Sequence, residues 1–452
     1  MNKFERILMT VFLVELFVGG GGRLIDFGIL SIRQVLFLGL ILALVWRIIK
    51  HKSYLDKNIN TFIRFTPVTI GIYILLFWFV ISAIIGLING HAISVIATDF
   101  FRVSFFLVYF PLAYYIADER FSKTRIIKIL KYSALAVAIF TIVVSLLGKT
   151  IFSSNFEPFY HFMNKVMNHD LFFRPSNSVF YKSHLFVLIG LIISLNDVLN
   201  KKFSKLDVLL VIFGSISVLW SETRGFLLAF MLSMLMIILL DGKVISDSVK
   251  GISNKFNRII HSKKYLKKAA ILLVILIAVP FLFKYMTLER FQEEVVVQQP
   301  AGQGDPTNQQ EAKVKKEVND VSVNERVKFI VGSKDILLKS PQNFVVGSGY
   351  GTEIAGRIDG IEMSFLDILV EQGLIGLGIW VFLFMIVFYN YYIAYKRDKK
   401  VDHLEISLMA AFMGVLLLTN INPFINNPIG ISFFLVLLIL SQRRKDSSLI
   451  EG

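Results

Sequence analysis

Long apolar runs, each close to 20 residues, recur along the whole chain and restrict the folds open to it. A run of this length crosses the roughly 30 Å hydrocarbon core of a bilayer as one α-helix. The runs are too long and too uniformly apolar for the alternating strands of a membrane β-barrel. Hydrophobic residues make up 55% of the chain, above the roughly 45–50% of a soluble domain. We therefore expect an all-α polytopic membrane protein.

The apolar runs predict about twelve transmembrane helices. We place them near residues 6–22, 28–49, 67–88, 93–116, 126–148, 182–197, 206–221, 225–241, 267–286, 368–395, 404–421 and 427–441. Residues 1–286 then hold helices one to nine, 368–441 hold helices ten to twelve, and 442–452 form a cytoplasmic tail. The 287–367 segment is one large external loop between helices nine and ten.

The net charge of +15 comes from lysine and arginine clusters that recur in alternate connectors, for example Arg120 to Lys131. Positive connectors mark the cytoplasmic side of a membrane protein, so the pattern predicts that both termini lie inside the cell. Because topology accounts for the basic excess, the charge does not indicate nucleic-acid binding. The chain has no cysteine, which excludes a disulfide within the external loop.

The predicted external loop changes character along its length. Residues 292–322 are rich in glutamine and charge, a composition typical of mobile chain. Residues 323–340 fit one helix face loosely, so we expect this part to be helical. Pro341 ends that stretch, and the glycines of the 347–351 segment predict a flexible turn. A large ordered segment on one face is where we expect the chemistry of such a protein.

Arginine is the informative residue type, because the sequence has no nucleotide loop, metal-spaced cluster or Ser-His-Asp arrangement. Arg224 lies in the turn SETRG between two long apolar runs. An arginine there is costly unless it is paired or faces water, which makes it a functional candidate. The structural alternative is that Arg224 reaches to the interface or pairs with Glu222.

Two further arginines and one glutamate fall on the same predicted face. Arg326 opens the helical part of the loop, and Arg174 precedes Pro175 in an aromatic connector. Guanidinium forks match phosphate geometry, so the three arginines could bind one anion without a metal. Glu362, at the membrane mouth, is a candidate general base. Its structural alternative is an acid that interacts with a helix dipole.

In their order and topology, these pieces resemble the O-antigen ligase/polymerase superfamily of bacterial envelope glycosyltransferases. The resemblance rests on SETRG, then Arg326 followed by LLKSPQNFVVGSGYG, then Glu362 in EMSFLDILVEQGLIGL, and a late NPFINNPIG. It covers most of the chain. Each motif alone is weak, and their sequence and topology together carry the match.

The resemblance implies a glycosyltransferase that takes a glycan from a polyprenyl-pyrophosphate carrier at the outer face of the bacterial inner membrane. It implies no metal and no other cofactor. Pyrophosphate binding falls to Arg224 and Arg326, with Arg174 a looser match. Ligases of the superfamily have a histidine where this chain has Glu362, which favours a polymerase acting on a hydroxyl of a carrier-linked repeat unit. The partners implied are that oligosaccharide, membrane lipid and a chain-length regulator protein.

Other functions stay open from the sequence. A ligase would pass a finished glycan to lipid A core, protein or wall polymer. A transporter or flippase would need paired halves and charged groups near the membrane midplane, for which Arg102 is the one candidate. A sensor or scaffold without chemistry would tolerate the loss of all three arginines.

Overall fold

The structure is a computed structural model that describes residues 1–22, 25, 30–174, 176–241, 266–268, 270–274, 277–278, 321–358, 360–398 and 402–447. Helices dominate these residues: α1 (Lys3–Val18), α2 (Ile32–Lys50), α3 (Pro67–Ile88), α4 (Ile93–Ser104), α5 (Tyr109–Tyr115), α6 (Lys123–Lys149), α7 (Phe156–Val166), α8 (His184–Leu199), α9 (Lys205–Trp220), α10 (Arg224–Asp241), α11 (Val321–Leu338), α12 (Pro341–Val345), α13 (Ser364–Asp398), α14 (His403–Leu418) and α15 (Pro428–Ser447). Most of the stretch predicted to be mobile, 292–322, lies outside the described residues, as does much of the predicted 267–286 span.

Within the described part of the chain, six helical stretches are long and apolar enough to cross a membrane: Ile32–Lys50, Pro67–Ile88, Ile93–Tyr115, Lys123–Lys149, Arg224–Asp241 and Ser364–Asp398. Helices α8 and α14 are also apolar but have 16 residues each. Such a helix rises about 24 Å, less than the roughly 30 Å hydrocarbon core. The predicted multi-pass helical class is therefore right, whereas the count of about twelve and the extent of the external loop stay predictions.

One small hairpin departs from the predicted all-α fold. Strand β1 (Leu171–Phe173) pairs antiparallel with β2 (Val179–Tyr181), with Leu171 opposite Tyr181. Aromatic residues on both sides of a turn that contains Asn177 favour paired strands. The hairpin belongs to the connector that carries Arg174, so it matters for the site.

Buried ion pairs hold one end of the helix bundle, which we call the basic end. They are Arg47–Glu5 at 2.6 Å, Lys131–Asp197 at 2.6 Å, Lys131–Asp207 at 2.5 Å and Arg444–Glu405 at 2.8 Å. Lys131 on α6 joins the end of α8 to the start of α9, and its side chain is only 10% exposed. Each of these carboxylates has a cation beside it, which offsets the cost of burying its charge.

The opposite end of the bundle, which we call the site end, is where the connectors pack on one another. Helix α14 begins at the basic end, where His403 contacts Asp197 at 3.1 Å. It ends beside the start of α13, because Ser364 N donates to Thr419 O at 3.0 Å. The hairpin joins the same end, since Tyr181 Oη donates to Val18 O of α1 at 2.6 Å.

Helix α13 is broken at Gly373, where φ is 67° and ψ is −175°. A break in an apolar helix leaves carbonyls that need donors from outside the helix. The donors are Ser348 N for Val370 O (2.8 Å), Gly349 N for Glu371 O (3.0 Å) and Trp78 Nε1 for Gln372 O (2.8 Å). The glycine-rich 347–351 segment, predicted as a flexible turn, is thus hydrogen-bonded into the break.

A small apolar core holds α11 against α13. Its buried side chains are Phe329 and Leu337 of α11, Ile354 and Ile361 of the next loop, and Val370 of α13. Phe329 and Leu337 are eight residues apart, so they lie on one face of the helix. This core brings Arg326, one turn before Phe329, close to Glu362, which follows Ile361.

We expect Gly373→Ala to destabilise the protein by at least about 1–3 kcal/mol, the cost of a left-handed backbone at a residue with a Cβ. That Cβ would also lie 2.4 Å from Val345 O. The measurement is the apparent unfolding temperature of the purified protein in detergent.

The matched control is Gly378→Ala on the same helix, because a Cβ at Gly378 meets nothing within 4 Å. Alanine at a helical position without strain should keep or raise the unfolding temperature. Equal temperatures for the two variants would contradict the structural role of the break at Gly373.

Candidate functional site

The turn between α9 and α10 brings two of the predicted arginines together. Arg224 is the first residue of α10 and is half-buried. Arg174, just after strand β1, donates from Nε to Ser221 O at 3.2 Å and from Nη2 to Thr223 Oγ1 at 3.0 Å. Its guanidinium also lies over the Phe180 ring, 5.3 Å from the centroid. Arg174 is therefore fixed against the SETRG turn.

Glu222 fixes the same turn from its other side. Its side chain accepts from Ser178 Oγ at 2.6 Å and also from Ser176 Oγ. The residue is 6% exposed and has a left-handed backbone, with φ of 48°. Hydrogen bonds to a buried carboxylate contribute about 1.5–3 kcal/mol each, so the pair of serines holds the hairpin onto the turn. No local pattern in the sequence pointed to these two serines.

Arg326 and Glu362 form the second half of the candidate site. Arg326 Nη2 lies 3.5 Å from Glu362 Oε2, and the two side chains are 25% and 36% exposed. The same Nη2 donates to Ile421 O at 3.3 Å, in the loop between α14 and α15. An ion pair this exposed and this long stabilises the fold by about 1 kcal/mol at most. It leaves both groups open to other partners.

The two halves meet at Ile421. Gly225, next to Arg224, packs so closely on this residue that an added Cβ would lie 2.9 Å from Ile421 Cγ2. The carbonyl of Ile421 accepts from Arg326, as described above. The four residues singled out in the sequence, Arg174, Arg224, Arg326 and Glu362, therefore lie around one turn and one loop at the site end.

Asp367 ties down the segment that carries Glu362. It is 1% exposed, and it accepts from Ile361 N at 3.2 Å and from Asn426 Nδ2 at 2.7 Å. Asp367 thereby joins the residue before Glu362 to the α14–α15 loop that Arg326 contacts. This role could not be predicted from the sequence, because Asn426 is 59 positions away and meets Asp367 only in the folded chain.

A further polar cluster lies behind Asp367, between α4 and α13. Arg102 pairs with Asp99 one helical turn earlier, and Asp99 accepts from Gly351 N at 2.9 Å. Glu371 of α13, which is 5% exposed, belongs to the same cluster. Arg102 is thus part of a paired cluster rather than an isolated charge within a span.

Tyr350, in the glycine-rich 347–351 segment, lies next to this cluster and is fully buried. Its burial, with Glu371 and Asp99 nearby, raises the pKa of the phenol well above its usual value. Tyr350 is therefore neutral at physiological pH. In the part of the chain that the structure describes, no group of three or more histidines, aspartates or glutamates is arranged to hold a metal ion.

We expect Asp367→Ala to lower stability, because it leaves the buried donors Ile361 N and Asn426 Nδ2 without their acceptor. Each such donor costs about 1–3 kcal/mol. The measurement is the apparent unfolding temperature in detergent. Asp335→Ala on the exposed side of α11 is the control. An unfolding temperature as high as that of the control would refute the anchoring role of Asp367.

Comparison with known proteins finds a similarity that spans nearly the whole chain. No known family's sequence profile matches the chain. The chain is similar to a Shigella flexneri protein named O-antigen polymerase, with 27% identity over 436 residues. That match spans 95% of this chain and 93% of the relative, so it includes the membrane helices, the SETRG turn and the loop motifs alike. This similarity agrees with the resemblance of the sequence motifs to the O-antigen ligase/polymerase superfamily.

Proposed function

We propose that this protein is a polymerase of a bacterial surface polysaccharide. The observation that carries the proposal is the gathering of Arg174, Arg224, Arg326 and Glu362 around one turn and one loop. The Shigella relative, which is named an O-antigen polymerase, favours this activity over the ligase alternative. The substrate we infer is an oligosaccharide repeat unit on a polyprenyl-pyrophosphate carrier.

The arginines bind the pyrophosphate of the donor. A pyrophosphate carries several negative charges, and a guanidinium offers two parallel donors to such a group. Arg174 is already held against the SETRG turn and Arg326 against Ile421, so little side-chain freedom is lost on binding. Fixed cations of this kind stabilise the charge that develops on the departing pyrophosphate.

Glu362 acts as the general base. The acceptor hydroxyl attacks the anomeric carbon of the donor glycan, and the bond from that carbon to the phosphate oxygen breaks. The hydroxyl proton passes to the Glu362 carboxylate, and polyprenyl pyrophosphate leaves with the electron pair of the broken bond. The contact of 3.5 Å between Glu362 and Arg326 keeps the base beside the anion site.

The site end faces the outside of the inner membrane. The basic end carries lysine and arginine at helix ends, among them Arg47 and Arg444, and positive charge of this kind favours the cytoplasmic side. Helix α1 begins at the basic end and α15 finishes there, as the pairs of Glu5 and Arg444 indicate. Both termini are then cytoplasmic, and the carrier-linked glycan meets the arginines outside.

We expect Arg224→Ala to abolish polymer formation while folded protein remains in the membrane. Without this guanidinium the leaving group loses a charge-assisted hydrogen bond that is made most strongly in the transition state. The measurement is the size distribution of surface glycan on a gel, in a strain that lacks the native gene and carries the variant. Single repeat units should replace the ladder.

Arg125→Ala is the matched control, because Arg125 is exposed on α6 at the basic end. It should give the wild-type ladder. A wild-type ladder from Arg224→Ala, at equal protein level, would remove Arg224 from the mechanism. Long carrier-linked chains without surface glycan, after deletion of the gene, would show a ligase instead.

We expect Glu362→Gln to lower the rate of polymer formation about 10²–10⁴-fold, the usual contribution of a general base. The amide keeps the shape of the side chain but cannot accept the hydroxyl proton. The measurement is the rate of chain elongation by the purified enzyme with a carrier-linked repeat unit. Glu353→Gln, an exposed residue of the same loop, should keep the wild-type rate. Wild-type turnover by Glu362→Gln would assign the base to another group.

A further inference from the structure

Among the described residues, two residues next to Ile421 each have a buried nitrogen donor without a protein acceptor. These donors are Nε of Arg326 and Nδ2 of Asn422. Arg326 contacts the Ile421 carbonyl at 3.3 Å, and that carbonyl belongs to the peptide unit that leads into Asn422. Both donors therefore belong to residues that adjoin Ile421, one through a hydrogen bond and the other through the chain.

Asn422 differs in this respect from the other asparagines of the α14–α15 loop. The amide nitrogens of the others all donate to protein oxygens: Asn420 to Leu416 O (3.1 Å), Asn426 to Asp367 Oδ2 (2.7 Å) and Asn427 to Pro423 O (2.6 Å). A buried donor without an acceptor costs about 1–3 kcal/mol. Each asparagine of this loop thus has a protein acceptor for its side-chain nitrogen, except Asn422 beside Arg326.

The backbone around Asn422 is fixed, so the point from which its side chain leaves the loop is fixed too. Its N–H donates to Leu418 O at 2.9 Å, and its carbonyl accepts from Phe424 N at 2.8 Å. Pro423 follows and restricts the conformation of Asn422 further. The fold of the NPFINNPIG motif therefore fixes the position of Asn422 next to the Ile421 carbonyl.

We propose that Asn422 Nδ2 and Arg326 Nε together bind one oxyanion of the substrate, which makes Asn422 a substrate-binding residue. Two donors, one of them on a permanent cation, select a group with several acceptor oxygens and a negative charge. A phosphoryl oxygen of the carrier fits this description, and so does the carboxylate of an acidic sugar. The inference rests on the proposed function, to which it adds a residue and a direction of approach.

The test is the binding of inorganic pyrophosphate to the full-length protein in lipid nanodiscs, measured by calorimetry. We expect Asn422→Ala to weaken binding about 10- to 100-fold, because a hydrogen bond to a charged group contributes about 1.5–3 kcal/mol. Asn422→Asp should bind more weakly still, because it puts a negative charge against the anion. Asn420→Asp is the matched control for added charge in this loop, and it should bind nearly as wild type does.

The proposal and a purely structural role for Asn422 predict different results for Asn422→Ala. Under the proposal, this variant keeps or raises the apparent unfolding temperature while it weakens binding, since Nδ2 has no protein partner to lose. A lower unfolding temperature with unchanged pyrophosphate affinity would overturn the proposal. Binding by Asn422→Asp as tight as by wild type would also overturn it, because the amide would then face a hydroxyl donor.

A second probe, glucuronate, distinguishes a phosphoryl oxygen of the carrier from the carboxylate of an acidic sugar as the bound oxyanion. Glucuronate binding that weakens in Asn422→Ala, with pyrophosphate binding unchanged, would support the two-donor site and assign it to an acidic glycan. Failure of the wild-type protein to bind either probe would overturn the inference. The glycan ladder of Arg224→Ala is independent of Asn422, so the polymerase proposal can fail or stand separately.

Discussion

The break of helix α13 at Gly373 is the constraint on which the candidate site depends. A helix in an apolar surrounding cannot leave carbonyls without donors, because water is not there to replace them. The break is stable since the glycine-rich segment and Trp78 supply those donors. The same hydrogen bonds fix the 347–351 segment against α13. The loop that carries Glu362 is thereby held between this segment and the start of α13.

The contacts that position the candidate residues at the site end follow from that break. Asp367 stands at the start of α13 and holds both Ile361 N and Asn426. The small core around Phe329 fastens α11 to the same part of α13. The distance between Arg326 and Glu362 is consequently set by α11 and the start of α13 together, and not by either one alone. Arg224 reaches the same place by a different route, through the close packing of Gly225 on Ile421.

Local signals in the sequence were enough for the membrane class and for the candidate residues. Apolar runs predicted the helical class, and the cost of an arginine near hydrocarbon pointed to Arg224. The anchoring roles of Asp367 and Asn426 could not be predicted, because these two residues are 59 positions apart and meet only in the folded chain. The glycines at 347–351 predicted a turn, but nothing local shows that a turn is bound to a helix break.

The ion pairs of the basic end differ from the pair of Arg326 and Glu362, and this difference fits the proposed reaction. At the basic end, carboxylates that are only 4–9% exposed pair with cations at 2.5–2.8 Å. Opening such a pair would leave a buried charge, at a cost of several kcal/mol. At the site end, Arg326 and Glu362 are 3.5 Å apart and partly exposed, so separating them costs about 1 kcal/mol or less. In the proposed reaction, pyrophosphate takes the place of Glu362 beside Arg326, and the Glu362 carboxylate then accepts the proton.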